Sequence, residues 1–111
     1  MDARVAELAD QLLLIERELR VLDLWDTSAP DARALASQEP FCVDTLSFEQ
    51  WLQWIFLPRM KAILEREETL PAVSGILSMA EVVYQTQPQR MAGLLKALGR
   101  FDALISRGVG S

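Results

Sequence analysis

From Trp51 to Leu57 only one residue, Gln53, is polar. On an α-helix that pattern is apolar almost all round, and such a helix is buried on most of its sides. A chain of 111 residues has few elements to cover it with. The cover is either the connection formed by residues 27–46 or a partner. The helix that carries this stretch opens with clear punctuation. Ser47 and Gln50 make a capping box, and Leu46 and Trp51 take the staple positions around it. The spacing predicts a helix from Phe48 to about Glu67. Pro58 lies inside it, where a proline removes a backbone bond and kinks the helix, here freeing the Trp54 carbonyl. Arg59 comes next, in helical phase with Phe48, Leu52 and Ile55. A buried guanidinium needs an acceptor. Asp44 and the freed carbonyl are candidates, unless the kink turns Arg59 outward.

The rest of the chain reads as helix too. Val5, Leu8, Leu12, Ile15, Leu19 and Leu22 step by three and four, one apolar stripe, with Asp2 as the expected N-cap. Ser28-Ala29-Pro30-Asp31 predicts a short helix to about Ser37 with Pro30 in its first turn. Leu70-Pro71 marks a turn. Val73, Ile76, Leu77, Ala80, Val83 and Tyr84 then predict a third, shorter helix, weakened by Gly75. Thr86 or Gln87 as cap and Pro88 in the first turn start a fourth, with Met91, Leu94, Leu95, Leu98, Phe101 and Ile105 inside and Gly108 as stop. No period-two pattern appears. The expected architecture is an all-α, four-helix up-down bundle, residues 1–111 forming one domain, with one long connection between helices 1 and 2.

Composition narrows the chemistry. The chain has no histidine and one cysteine, Cys42. Ser-His, Cys-His and His-metal sites are therefore excluded, as are an internal disulfide and a thiolate zinc cluster. No catalytic constellation, metal set or cofactor motif is visible, so the expectation is a protein that is not an enzyme. A lone cysteine fits a reducing compartment. The start carries no signal-peptide pattern, and the longest apolar run, Trp54 to Pro58, is far too short to span a membrane. The expected location is the cytoplasm.

Charge is uneven. Residues 1–47 hold ten acids and four bases, while residues 88–111 hold Arg90, Lys96, Arg100 and Arg107 against Asp102 alone. The acidic net charge of -5 argues against general nucleic-acid binding. The four cations leave a narrower opening, either a solvated face or a stripe that meets RNA or an acidic partner. Phe41, Asp44, Trp51, Trp54 and Arg59 make the other candidate region. Trp51 and Trp54 read first as core packing, with a binding hot spot as the alternative. Asp44 with Arg59 reads either as a structural pair or as a small-molecule site. Cys42 reads as a small buried hydrophobe or a reactive thiol.

One string adds a resemblance. Glu39-Pro40-Phe41-Cys42-Val43-Asp44-Thr45, then Trp51-Leu52-Gln53-Trp54 and Pro58-Arg59-Met60, resembles the YqcC-like family of small bacterial all-helical proteins. The likeness continues through Leu70-Pro71 and Gln87-Pro88-Gln89-Arg90. It implies a helical bundle, a bacterial cytoplasmic setting, and a gene that often neighbours one for a tRNA pseudouridine synthase of the C type. It offers no catalytic residue to carry over. Two readings of function stand. The first is a helical interaction module that binds a protein partner or itself through the apolar second helix or the groove beside the connection. The second is an accessory of tRNA pseudouridine modification that contacts RNA or the synthase.

Overall fold

A computed structural model describes residues 4–70 and 75–107. They are helical with turns and contain no strand. Helix α1 (Val5–Val21) is followed by the short α2 (Ala32–Leu35) and a 3₁₀ turn at Pro40–Cys42. Next come α3 (Phe48–Trp51), a π-helical turn at Leu52–Phe56 and α4 (Leu57–Glu65), which run on as one helical rod. Helices α5 (Ile76–Val83) and α6 (Ala92–Arg107) complete the order.

The stripe read from α1 is the core. Leu8, Leu12, Ile15 and Leu19 are buried against Leu94, Leu98, Phe101 and Ile105 of α6, Leu52, Phe56 and Met60 of the rod, and Ile76 and Ala80 of α5. Phe56 meets Phe101 edge-on at 5.0 Å between ring centroids. Helices α1 and α6 lie antiparallel and make the largest helix pair. Arg4, just before α1, donates to the Leu104 and Ile105 carbonyls, both at 2.9 Å. Arg90, just before α6, donates to the Leu22 carbonyl past the end of α1 at 3.0 Å. Each guanidinium thus caps the partner helix where carbonyls lack donors and the dipole is negative. Asp102 of α6 caps α5, accepting from the Ile76 and Leu77 N–H groups at 3.2 and 2.7 Å.

Pro58 does not break the rod. The Leu57 N–H reaches back five residues to the Leu52 carbonyl, and this wider turn spreads the backbone where the pyrrolidine ring would press on the preceding turn. The extra residue carries a consequence for phase. A helix advances about 100° per residue, so one residue of slack rotates Arg59 off the buried face that uniform phase assigns it. Arg59 is exposed. Asp44 is exposed as well and accepts from the Ser37 hydroxyl; no ion pair among the described residues joins it to Arg59.

Other boundaries differ by local chemistry. The capping box at Ser47 and Gln50 forms as read. Asp31, rather than a residue before Pro30, caps α2, accepting from Ala34 N–H at 2.7 Å, and the helix stops at Leu35. The rod ends at Glu65, with Glu67 in the left-handed region. Turns occupy residues 84–86 and 88–91, so α6 starts at Ala92 and Pro88 stays outside it. Gly75 does not weaken α5 from within but precedes it at φ 69°. The expectations for Asp2, Pro71, Val73 and Gly108 lie outside the described residues.

Candidate functional site

The long connection covers one side of the apolar rod. Its Phe41 ring stands edge-on to Trp51 at 4.8 Å and tilted to Phe48 at 6.3 Å. Trp51 stacks on Phe48 at 6.0 Å, and Phe48 meets Tyr84 edge-on at 5.9 Å. Aromatic pairs at these spacings add to the area they bury. Of the rod's own residues, Leu52, Gln53, Phe56 and Leu57 are buried, while Trp51, Trp54 and Ile55 are half-buried. The Tyr84 hydroxyl donates to Glu49 at 2.6 Å. Burial, with that bond and the Glu49 charge, pushes the phenol far above its ordinary value.

Two grooves flank Phe41. One, about 490 Å³, runs between the connection and the α5–α6 turn, over Val43, Phe48, Met79, Val83, Tyr84 and Met91. Val43 and Val83 are 59% and 39% exposed there. Val82, next to Val83, is 64% exposed. The other, about 370 Å³, lies between the connection and the rod, lined by Ser37, Cys42, Trp51, Ile55 and Arg59. Cys42 is buried. Phe41, Trp51 and Arg59 therefore share this region, but Asp44 lines neither groove.

Trp54 belongs elsewhere. It lines a shallow cleft of about 690 Å³ with Trp25, Arg20, Glu16 and Lys61. Arg20 lies over the Trp25 ring at 4.5 Å, and Glu16 pairs with Arg20 and Lys61 at 3.1 and 3.3 Å. The Trp54 indole N–H is buried without a partner. Beside it, the Gln53 amide is fixed from both ends by Asp26. Its Oε1 accepts from the Asp26 N–H and its Nε2 donates to the Asp26 carbonyl, each at 2.8 Å. Sequence reasoning passed over this pin, although a lone polar residue in an apolar run was its signal.

The basic end is not bare once folded. Because α6 lies along the acidic α1, Arg100 shares a depression with Glu7 and Asp10. Arg90 is engaged by Leu22 and Gln87. The Glu18 carboxylate lies 2.7 Å from where a Cβ on Gly93 would stand, in the first turn of α6. Lys96 is exposed, and the Arg107 side chain lies outside the described residues. Among the described residues no cluster of three or more acidic, Cys or His side chains is placed to hold a metal, and no helix is long and apolar enough to cross a membrane.

Comparison with known proteins places the chain. A family model described as tRNA pseudouridine synthase C matches residues 7–104. A protein of Haemophilus influenzae described as uncharacterized is 53% identical over 53 residues, 48% of this chain and 50% of that protein. A Pectobacterium carotovorum protein named tRNA pseudouridine synthase C is 45% identical over 69 residues, 62% of this chain but 18% of that protein. The matched stretches thus span half of the first relative and under a fifth of the second. YqcC of Escherichia coli is 31% identical over 96 residues, 86% of this chain and 88% of that protein. Its solution NMR structure superposes with a TM-score of 0.86 at 27% identity, covering 99% of this chain and 94% of that one. With a match along nearly its whole length in sequence and in fold, the chain belongs to the YqcC-like family.

Proposed function

We propose that this chain is a non-catalytic helical companion of a C-type tRNA pseudouridine synthase, acting in the bacterial cytoplasm through protein contact. In this reading its helices form one up-down four-helix domain. The observation that carries the proposal is the Pectobacterium protein. It bears the synthase name, and its likeness to this chain is confined to 18% of its length, leaving the larger part for the enzyme. A module that occurs within such a protein has its partner held alongside it at high effective concentration. The grooves on either side of Phe41, with Trp51 lining the smaller and Val43 and Val83 exposed in the larger, are the contact surface. Exposed apolar side chains gathered along a groove lined by Met79 and Met91 suit an adaptable protein contact.

Direct RNA contact through Arg90, Lys96, Arg100 and Arg107 is the second reading. It is disfavoured by the Leu22 bond of Arg90 and the acidic neighbours of Arg100. A small-molecule site built on Asp44 and Arg59 is disfavoured because Asp44 is taken by Ser37.

Titration calorimetry of the purified chain against a C-type synthase, with and without tRNA, tests the proposal. A complex that forms without tRNA and is weakened by Val83→Glu supports it. Absence of heat with the synthase, together with salt-sensitive binding to tRNA alone, overturns it in favour of RNA contact.

A further inference from the structure

Residues 31–46 form a strap with an unusual mode of attachment. Among the described residues, every hydrogen bond they make is to one another. Asp31 caps Ala34, the Ser37 hydroxyl donates to Asp44, and the Thr45 hydroxyl donates to the Ala34 carbonyl at 2.7 Å. The Cys42 N–H bonds the Glu39 carbonyl, and the Leu46 N–H bonds the Cys42 carbonyl. Among the described residues no hydrogen bond or ion pair ties the strap to the helices. Its ends meet fixed points, with Asp26 pinned by Gln53 before it and Ser47 locked in the capping box after it. Between Asp26 and Asp31 lies a short stretch, residues 27–30, whose described atoms make no hydrogen bond. The strap is therefore a self-braced unit on two anchored ends, held down by apolar contact alone.

That contact centres on Phe41, which lines both grooves and partitions them. Phe41 and Cys42 are consecutive non-glycine residues in the left-handed region, at φ 58° and 50°. That conformation is disfavoured for a bulky side chain and persists only where surroundings impose it. Lifting the strap would join the two grooves and bare Phe48, Trp51 and Ile55 as one apolar trough.

We propose that the strap is a lid, with Phe41 as its plug, that opens as a unit while the helices stay folded. Opening as a unit gives up aromatic burial at Phe41 but breaks no hydrogen bond, so it requires less free energy than global unfolding.

Cys42, the only cysteine and 5% exposed, is a native reporter of the lid. The test is the labelling rate of Cys42 by a small disulfide reagent across sub-denaturing urea, beside global unfolding followed by tryptophan fluorescence. The expected rate at low urea exceeds that set by global unfolding and is nearly independent of urea, because a lid exposes little surface. Phe41→Ala should speed this phase by about tenfold or more. Ile105→Val, in the α1–α6 core, should lower the unfolding midpoint yet leave the low-urea rate unchanged. Labelling that follows global unfolding at every urea concentration, in the native chain and in Ile105→Val, overturns the proposal. So does a Phe41→Ala protein that folds and labels no faster than the native chain.

Discussion

Arg4 and Arg90 exchange ends across the α1–α6 pair, each standing before one helix and capping the last carbonyls of the other. Hydrogen bonds from a charged donor are stronger than neutral ones, and Arg4 is the less exposed of the two. Arg4→Ala should therefore lower unfolding free energy by about 1–2 kcal/mol, and Arg90→Ala by less. Urea unfolding of the two variants checks the order; equal losses, or the larger loss at Arg90, would contradict it.

Gln53 is the buried polar side chain of the described core, 5% exposed, and it satisfies both backbone groups of Asp26. Gln53→Leu keeps the volume nearly unchanged but orphans that N–H and carbonyl. The expected cost is about 2 kcal/mol, with faster amide exchange at Asp26. A variant as stable as the native chain would show that water replaces the pin.

Tyr84 predicts an alkaline effect of definite sign. Its folded-state pKa is raised, first by burial and then by the Glu49 bond and charge. The stability it contributes is full below the unfolded value of about 10 and is lost as pH climbs beyond it. Because the chain has one tyrosine, absorbance at the tyrosinate band reports it alone. No tyrosinate should form in the folded protein at pH 10, and Tyr84→Phe should lose less stability than the native chain between pH 9 and 11. Half-ionisation at pH 10 in the folded state would refute the shift.

Asp102→Ala removes the acceptor for the first N–H groups of α5. Loss of an N-terminal cap costs about 1 kcal/mol. The distinguishing readout is local. Hydrogen exchange at Ile76 and Leu77 should accelerate more than exchange in α1.

Much of the fold was legible because periodicity is a direct image of burial. The α1 stripe and the inner residues of α6 lie where the spacing puts them, and the Ser47 box forms residue for residue. What escaped were contacts between elements. Nothing local tells Asp102 to cap a different helix, or Arg90 to spend its charge on Leu22. The cations of residues 88–111 look isolated along the chain, and only the antiparallel α1–α6 pairing brings acids beside them. Arg59 was legible only as a choice. The sequence left two outcomes open across Pro58, and the π turn, one residue of phase just before it, gives the outward one. For the candidate site, the aromatic content was readable and its partition was not. Phe41 and Trp51 come together, Trp54 faces a different cleft, and Asp44 turns to its own strap.

The exchange of ends between α1 and α6 also fixes how this unit can be tethered. Arg4 touches Leu104 and Ile105, so the described chain leaves and returns at one pole. The strap, the α5–α6 turn and both grooves gather around the ends of α1 and α6 that meet at the other, where Leu24 and Arg90 line the larger groove. A helix of 17 residues separates those poles by about 25 Å. A second domain joined at either end would hang from the same side like a load on a handle, leaving the grooved head free to turn back toward it or outward to something else.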